Sequence, residues 1–348
     1  MAPIQQALHT LLLLSLEDLK ELQEPTRLKD AVIQATRQTS AHLRILVVSP
    51  LFNPEDGIQP SHHWNLVQGF LTFLYAEATS VAQAADNVLM NIEVILRDPK
   101  HISASTGHDD VKWDRVLAAK TDGKSPMIFD SLRFSVPPTY ITIPPHAFAK
   151  EKSYTAQTDR AATYPVVALG GTFDHLHPGH KILLSMSAWI ATSKVIIGVT
   201  DDTLLVNKNN REILEPLSYR MEQVRRFMTS FKPGLELEIV PIQDVYGPTG
   251  WDPDIQALVV SRETQSGAAS IDKRRAERSL PPLELFIIEV ISPSATVMMS
   301  DNAKELKEAK MSSTFIRQWI VDQRTKDLEV MSSDYSPRMP GAFPESNG

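Results

Sequence analysis

Val166–Ser185 reads VVALGGTFDHLHPGHKILLS, the pattern of a buried strand, a glycine turn and a helix. The apolar run ends at Gly170-Gly171, and apolar residues resume at helical spacing after Pro178. Proline suits a first helical turn, because its missing N–H would be unpaired there. Such a turn offers backbone N–H groups and the positive end of a helix to a phosphate. His177 and His180 lie at the helix start, one turn apart, so we expect both to face one cleft.

The composition is typical of a soluble globular protein large enough for two domains, with 348 residues, 42% hydrophobic and 22% charged. A net charge of -7 argues against wholesale nucleic-acid binding. The sequence has no cysteine, which excludes disulfides and thiolate metal sites and predicts a reducing compartment, the cytoplasm. Leu11–Leu14 follows no basic region and soon meets charged residues, so neither a signal peptide nor a membrane helix is expected. We interpret this run as the buried stripe of a first helix.

The first part of the chain predicts a small α/β unit. Its patterns alternate: helical Ala7–Gln38 with a break at Pro25, strand-like Leu43–Val48, helical Trp64–Tyr75 and strand-like Ile92–Leu96. This β-α-β rhythm favours an α/β arrangement. The connection after Leu43–Val48 is long and lacks a glycine pair, so no phosphate cradle is expected there. We interpret the adjacent histidines His62-His63 in this connection as part of a solvated loop.

The second part alternates strands and helices more regularly. The strand-like runs are Val166–Leu169, Lys194–Val199, Glu236–Pro241, Ala257–Val260 and Leu285–Ile291. The helical patterns are the segment from Pro178, Ser218–Phe231, Ser270–Leu280 and Ser312–Val321. This alternation predicts a parallel sheet with right-handed crossovers and helices on both faces. In such sheets ligands bind at the carboxyl ends of the strands, where the polar clusters of this sequence lie.

Two motifs carry a family resemblance. Gly171–His180, with the pattern G-T-F-D-x-x-H-x-G-H, resembles the signature of the nucleotidyltransferase superfamily. Met311–Thr314 with Arg317 resembles the second phosphate-binding motif of that superfamily, ISSTxxR. Further segments resemble the eukaryotic type of phosphopantetheine adenylyltransferase: Gly198–Asp202, Leu204-Leu205, Lys208, Tyr246–Pro248 and Val259–Thr264. The resemblance covers about Tyr164–Val321 and implies transfer of AMP from ATP to 4′-phosphopantetheine, giving dephospho-coenzyme A and pyrophosphate.

The resemblance and the local composition together predict the domain order, since Glu151–Thr163 is polar and nonperiodic and the residues after Met331 are rich in Ser, Pro and Gly. We expect an α/β fold with an N-terminal α/β domain of unknown role over residues 1–150, a linker over residues 151–163, a Rossmann-like nucleotidyltransferase domain over residues 164–330 and a disordered tail over residues 331–348.

Roles for individual residues follow from the same resemblance. The implied nucleotide-binding residues are Gly170, Gly171, Thr172, Phe173, His177, His180, Ser312, Ser313, Thr314 and Arg317. The implied catalytic residues are Thr172, His177, His180, Lys208 and Arg317. Lys208 is the best match for the lysine that grips the incoming phosphate, with Arg211 or Lys181 as alternatives. Asp174 either holds the turn or touches ligand. Mg²⁺ is expected with the triphosphate rather than in a protein cage, so no metal-ligating residues are assigned.

Other functions stay open at this point. A cytidylyltransferase or a nicotinate-mononucleotide adenylyltransferase would share the first motif, but the RTEGISTT motif of cytidylyltransferases is absent. A non-catalytic scaffold within a coenzyme A-making complex is an alternative of a different class. No G-x-x-x-x-G-K-[ST] loop occurs, so no dephospho-coenzyme A kinase is expected. The expected partners are ATP and 4′-phosphopantetheine, with other coenzyme A-pathway enzymes if the chain joins a complex, and neither nucleic acid nor membrane.

Overall fold

Two α/β units make up the part of the protein that a computed structural model describes, which is residues 6–102, 111–121, 129, 132, 134–145, 159–288 and 312–334. Each unit is built on a five-stranded sheet whose neighbouring strands are all parallel. Within these ranges, no helix has both the length and the apolar character needed to cross a membrane.

The first unit has helices packed against its sheet. Its elements are β1 (Ala7–Ser15), α1 (Leu19–Gln23), α2 (Lys29–Arg37), β2 (Thr39–Val48), α3 (Trp64–Ala84), β3 (Asn91–Arg97), β4 (Arg115–Thr121) and β5 (Thr139–Ile143). The strand order is β3-β2-β1-β4-β5. The predicted strands around Leu43–Val48 and Ile92–Leu96 are confirmed as β2 and β3. The helix predicted over Trp64–Tyr75 is confirmed and extends to Ala84.

The helix predicted at the start of the chain is wrong. Leu11–Leu14 lies in β1, the central strand, which pairs with β2 on one side and β4 on the other. All four leucines are 0% exposed. Because successive side chains of a strand point to opposite faces, a central parallel strand covered on both faces requires consecutive apolar residues. The run is therefore typical of a buried strand, and the helices of this region begin only at Leu19.

The second unit repeats the topology of the first. Its elements are β6 (Tyr164–Gly171), α4 (Pro178–Ile190), β7 (Ala191–Thr200), α5 (Leu217–Phe231), β8 (Glu236–Ile242), β9 (Ala257–Ser261), α6 (Gln265–Glu277), β10 (Glu284–Ile288) and α7 (Ser313–Asp334). The strand order is β10-β9-β6-β7-β8. From β6 the chain adds β7 and β8 along one edge direction of the sheet and then β9 and β10 along the other. The carboxyl end of β6 is therefore the switch point where doubly wound sheets bind ligands.

All five predicted strands of this unit are confirmed, although residues 289–291 of the last one lie outside the described residues. The helix predicted over Ser270–Leu280 begins earlier, at Gln265. The last helix ends at Asp334, so residues 331–334 are helical and not part of a disordered tail. Residues 335–348, residues 151–158 of the predicted linker and Met311 of the second motif also lie outside the described part of the chain.

One hydrophobic core spans both units. It contains buried residues of both sheets, and α3 of the first unit packs against α4 of the second. The Phe52 and Trp189 rings meet edge to face at 5.8 Å, and the Trp64 and Phe286 rings lie 4.7 Å apart. Polar contacts also cross the boundary. The prediction that His62-His63 is solvated needs correction, because both residues are half-buried and the His62 ring bonds to the Arg160 carbonyl at 2.8 Å.

Candidate active site

A tight turn follows β6 and shapes the base of the site. Phe173 and His175 have φ angles of 52° and 44°, in the left-handed region that non-glycine residues rarely adopt. The Phe173 side chain is fully buried. A Cβ at Gly171 would lie 3.1 Å from Cζ of Phe173, which is tighter than an ordinary contact. Glycine at this position therefore lets the turn close over the ring.

The buried carboxylate of Asp174 joins the two predicted phosphate-binding motifs. Its Oδ1 accepts the Glu215 backbone N–H at 2.9 Å, and its Oδ2 accepts a hydrogen bond from Nη1 of Arg317. The side chains of this ion pair are 0% and 2% exposed. The Asp174 carbonyl accepts the Ser313 hydroxyl at 2.8 Å. Protein groups thus engage both carboxylate oxygens, and Asp174 holds the turn against the start of α7.

The two histidines form a stacked pair at the start of α4. Their rings lie 3.8 Å apart with an interplanar angle of 28°. His177 is the N-cap residue, and its Nδ1 accepts the Gly179 backbone N–H at 3.2 Å. Burial, the neighbouring His180 and the Lys181 ammonium hold the pKa of His177 well below its usual value. Burial and Lys181 lower the pKa of His180 to about 3.

Both histidines are therefore neutral at pH 7, and each carries a single N–H donor. Because Nδ1 of His177 accepts a hydrogen bond, its proton resides on Nε2. Among the described residues, Nδ1 of His180 has no hydrogen-bond partner. The pair presents neutral donors beside the positive end of a helix, an arrangement suited to phosphate oxygens.

The start of α7 lies against this turn. Ser312 caps the helix, since its Oγ accepts the Phe315 backbone N–H at 3.2 Å. Ser313 bonds to the Asp174 carbonyl, and Oγ1 of Thr314 accepts a hydrogen bond from Nη2 of Arg317 at 3.4 Å. The predicted anion nest is thus a helix start whose hydroxyls have protein partners. What this helix start offers a phosphate is its backbone N–H groups and dipole.

Arg220 is a residue that the sequence reasoning missed. Its side chain is 0% exposed, and Nη1 donates to the carbonyls of Thr172 at 2.6 Å and Thr200 at 2.9 Å. Nε donates to the Glu215 carbonyl at 3.0 Å, and Nη2 pairs with the Asp202 carboxylate. Arg220 therefore ties the carboxyl ends of β6 and β7 together and orients Thr172. An arginine in the first turn of a helix, some residues after a strand that ends in aspartates, is a common pattern. The sequence therefore gave no specific indication that Arg220 joins the two strands.

The three candidate lysine and arginine residues for the incoming phosphate differ in placement. Lys208 and Arg211 are both exposed, on the loop whose Asn209 carbonyl accepts Nε of Arg317 at 2.9 Å. Lys181 is only 2% exposed, and its Nζ donates to Asn91 Oδ1 and to the Ile92 carbonyl of the first unit. Lys208 and Arg211 are therefore accessible on the exposed loop, whereas the Lys181 ammonium lies at the contact between the two units.

The structure brings most of the predicted site residues to one place. The glycine turn, the histidine pair and the start of α7 meet at the end of β6, with the Lys208 loop beside Arg317. Within the described ranges, no group of three or more His, Asp or Glu side chains is arranged to hold a metal ion.

Comparisons with known proteins identify the fold of this unit. A family model described as cytidylyltransferase-like matches residues 168–328. A protein from Saccharomyces cerevisiae named phosphopantetheine adenylyltransferase is 45% identical over 157 residues, which are 45% of this chain and 49% of that protein. A protein of the same name from Methanopyrus kandleri is 39% identical over 130 residues, which are 37% of this chain and 82% of that protein. The chain belongs to the phosphopantetheine adenylyltransferase family.

The similarity to phosphopantetheine adenylyltransferases is confined to part of the molecule. The chain spans about half the length of the yeast relative, and 47% of an uncharacterized Schizosaccharomyces pombe protein to which it is 42% identical over 153 residues. The cytidylyltransferase-like match begins inside β6, so it leaves out the first unit. The matched segment contains both motifs that Asp174 and Arg317 connect. Nucleotidyltransferases of this kind typically use a divalent metal together with ATP.

Proposed function

We propose that the chain transfers the adenylyl group of ATP to 4′-phosphopantetheine, giving dephospho-coenzyme A and pyrophosphate in coenzyme A biosynthesis. The observation that carries this proposal is the stacked, neutral pair His177 and His180, held beside the start of α7 by the Asp174–Arg317 ion pair. The proposal also rests on membership of the phosphopantetheine adenylyltransferase family.

The reaction needs no covalent enzyme intermediate, because the nucleophile is already a phosphate. A phosphate oxygen of phosphopantetheine forms a bond to the α-phosphorus of ATP, and the bond between that phosphorus and the bridging oxygen of pyrophosphate breaks. Catalysis then consists of positioning the reactants and stabilising the charge that develops on the phosphoryl oxygens. The N–H groups of His177 and His180 and the two helix starts supply donors that are in place before the substrates bind.

The remaining predicted roles are part of the same proposal. Thr172, oriented through the Arg220 contacts with its carbonyl, faces the attacking phosphate and the α-phosphate. Lys208, on its exposed loop, grips the phosphate of phosphopantetheine. Mg²⁺ bound together with ATP would supply positive charge to the triphosphate, and no side chain of this chain is assigned to hold it. We place the reaction in the cytoplasm, as the absence of cysteine favours.

A pyrophosphate-release assay on the full chain tests the substrate assignment. ATP, Mg²⁺ and 4′-phosphopantetheine should release pyrophosphate, whereas CTP with phosphocholine or phosphoethanolamine, and ATP with nicotinate mononucleotide, should not. Release with one of those other pairs alone would overturn the assignment. No release with any pair would favour the scaffold alternative.

A histidine substitution tests the role of the stacked pair. His180→Ala should lower kcat by roughly 100-fold or more, because it removes a donor to the transition-state charge. His101→Ala is the matched control, since this side chain is 67% exposed and lies in the first unit. An unchanged kcat in the His180 variant would show that this histidine is structural.

A further inference from the structure

A cavity of about 690 Å³ lies between the two units, beside the first turn of α4. The first unit contributes residues of β1, β2, β3 and the end of α3 to its lining. The second unit contributes the first turn of α4, where His177, Pro178 and Lys181 form part of the wall, and residues of α5 and α7. A volume of this size is ordinary for a small-molecule site, so we call this space the inter-unit cavity.

Ionised side chains are buried in the wall of the inter-unit cavity. Arg44, Glu93 and Lys181 are 5%, 8% and 2% exposed. Oε2 of Glu93 accepts hydrogen bonds from Nη2 of Arg44 at 2.7 Å and contacts Nε2 of His42 at 3.1 Å. Nζ of Lys181 instead donates to two neutral oxygens, those of Asn91 and Ile92. Among the described residues, no carboxylate forms a direct ion pair with Lys181.

The charge balance of the whole lining is also positive. Three cations line the cavity, Arg44, Lys181 and the exposed Arg226, against the two carboxylates of Glu93 and Glu215. By formal charge, these five side chains carry one net positive charge. Burial lowers the pKa of Lys181 to about 8, although the Glu93 carboxylate acts in the opposite direction. A buried cation that is not directly paired is costly, and a bound anion would offset that cost.

The same lining contains polar atoms without partners and an apolar wall. Oγ1 of Thr79, on a side chain only 7% exposed, and Nδ1 of His9 have no hydrogen-bond partner among the described residues. Phe227, Ile316 and Ile320 add apolar surface to the lining. The ligand that suits this lining therefore has one negative charge, hydrogen-bonding oxygens and an apolar body.

We propose that the inter-unit cavity binds a small organic carboxylate, with its charged group at Lys181 and Arg44 and its apolar body against Phe227 and Ile316. A carboxylate matches the single excess charge, and its two oxygens can accept hydrogen bonds from an ammonium and a guanidinium. Lys181 directly follows His180 in the chain, and His177 lines the cavity. Binding there therefore alters the geometry of the histidine pair and changes the transferase rate. This second consequence rests on the proposed function, whereas the binding itself does not.

Calorimetric titration of the full chain with 4-phenylbutyrate tests the site without using catalysis. A nonhydrolysable ATP analogue with Mg²⁺ is kept at saturation, so that the nucleotide site is occupied. The acid should bind at least tenfold more tightly than its neutral amide, 4-phenylbutyramide. Equal affinity for the acid and the amide, or no binding of the acid, would overturn the proposal.

Two substitutions locate the binding. Lys181→Met should weaken phenylbutyrate binding at least tenfold, because it removes the cation that lacks a direct ion pair. Arg226→Gln changes an exposed position that does not endanger folding, and it should weaken phenylbutyrate binding about threefold. Arg225→Gln on the same helix is the matched control, because Arg225 is exposed and does not line the cavity. Wild-type affinity in both the Lys181 and Arg226 variants would refute the site.

The coupling to catalysis is read separately. Saturating phenylbutyrate should change kcat at least twofold in the wild type and in Arg225→Gln. Tight binding with an unchanged kcat would overturn the coupling while supporting the site. An inactive chain that binds phenylbutyrate would contradict the proposed function alone.

Discussion

Replacement of Asp174 by asparagine should destabilise the second unit more than any exposed charge change. Asparagine keeps the size of the side chain and can still accept the Glu215 backbone N–H through its carbonyl oxygen. It removes the negative charge opposite Arg317, however, and turns an N–H₂ group toward the guanidinium. Because the two side chains are 0% and 2% exposed, water cannot replace the lost carboxylate.

The expected cost follows from the loss of one partner of a buried ion pair, which is about 3–5 kcal/mol. Arg317 also donates to the Asn209 carbonyl and the Thr314 hydroxyl, but these acceptors are neutral and do not offset an unpaired charge. We expect Asp174→Asn to lower the free energy of unfolding by about 3 kcal/mol, the lower end of that range, because the Glu215 contact is kept.

Urea unfolding followed by tryptophan fluorescence measures this loss. Asp254→Asn is the control, since Asp254 is an exposed carboxylate. The double variant Asp174→Asn with Arg317→Met removes the stranded cation and should be more stable than the sum of the single changes predicts. A loss below about 1 kcal/mol in Asp174→Asn, similar to the control, would refute the reasoning, as would strict additivity.

Three further predictions concern nearby positions. The pKa of His180 lies at about 3 in the folded protein and near 6.5 in the unfolded chain, so only the unfolded state gains a proton as the pH falls below 6.5. The free energy of unfolding should therefore drop by about 2 kcal/mol at pH 5. In unfolding titrations His180→Phe should abolish this part of the pH dependence, and an unchanged slope would contradict the assignment. Arg220→Lys cannot reach all the carbonyls that the guanidinium contacts, including that of Thr172, and should cost roughly 2–3 kcal/mol by thermal unfolding; a wild-type Tm would show these contacts to be dispensable. Gly198→Ala places a Cβ 2.9 Å from Cγ2 of Ile242 and should lower the free energy of unfolding by about 1–3 kcal/mol. The loss should be clearly smaller in an Ile242→Ala background, and an equal loss in both backgrounds would rule out the clash.

The inner strands of the second unit could be predicted because consecutive residues in them are buried. Lys194–Val199 and Ala257–Val260 are nearly continuous apolar runs, and both lie inside the sheet as β7 and β9. The same reasoning failed at Leu11–Leu14, where leucine also favours helices and no turn residues bounded the run. Only its position between β2 and β4 shows it to be a central strand.

The sequence also did not predict that the first unit shares a hydrophobic core with the second. The sequence suggests a linker and therefore a test by truncation near residue 160. The structure shows a shared core, with the Arg97 guanidinium bonded to the carbonyls of Ser230 and Phe231 and Lys181 bonded to β3. Removal of the first unit would expose this core, so inactivity of a truncated chain would not separate a catalytic role from a structural one.

The strand, glycine turn and helix of Val166–Ser185 can be predicted from the sequence, because each of these depends on residues a few positions apart. The sequence also placed His177, His180 and Ser313 at helix starts, where capping and dipole effects are local. That Arg317 binds Asp174 and that Lys181 contacts the first unit becomes visible only in the folded protein. The physical reason is that the partner of a charged side chain depends on which distant surfaces are buried together, and no pattern within one segment encodes that.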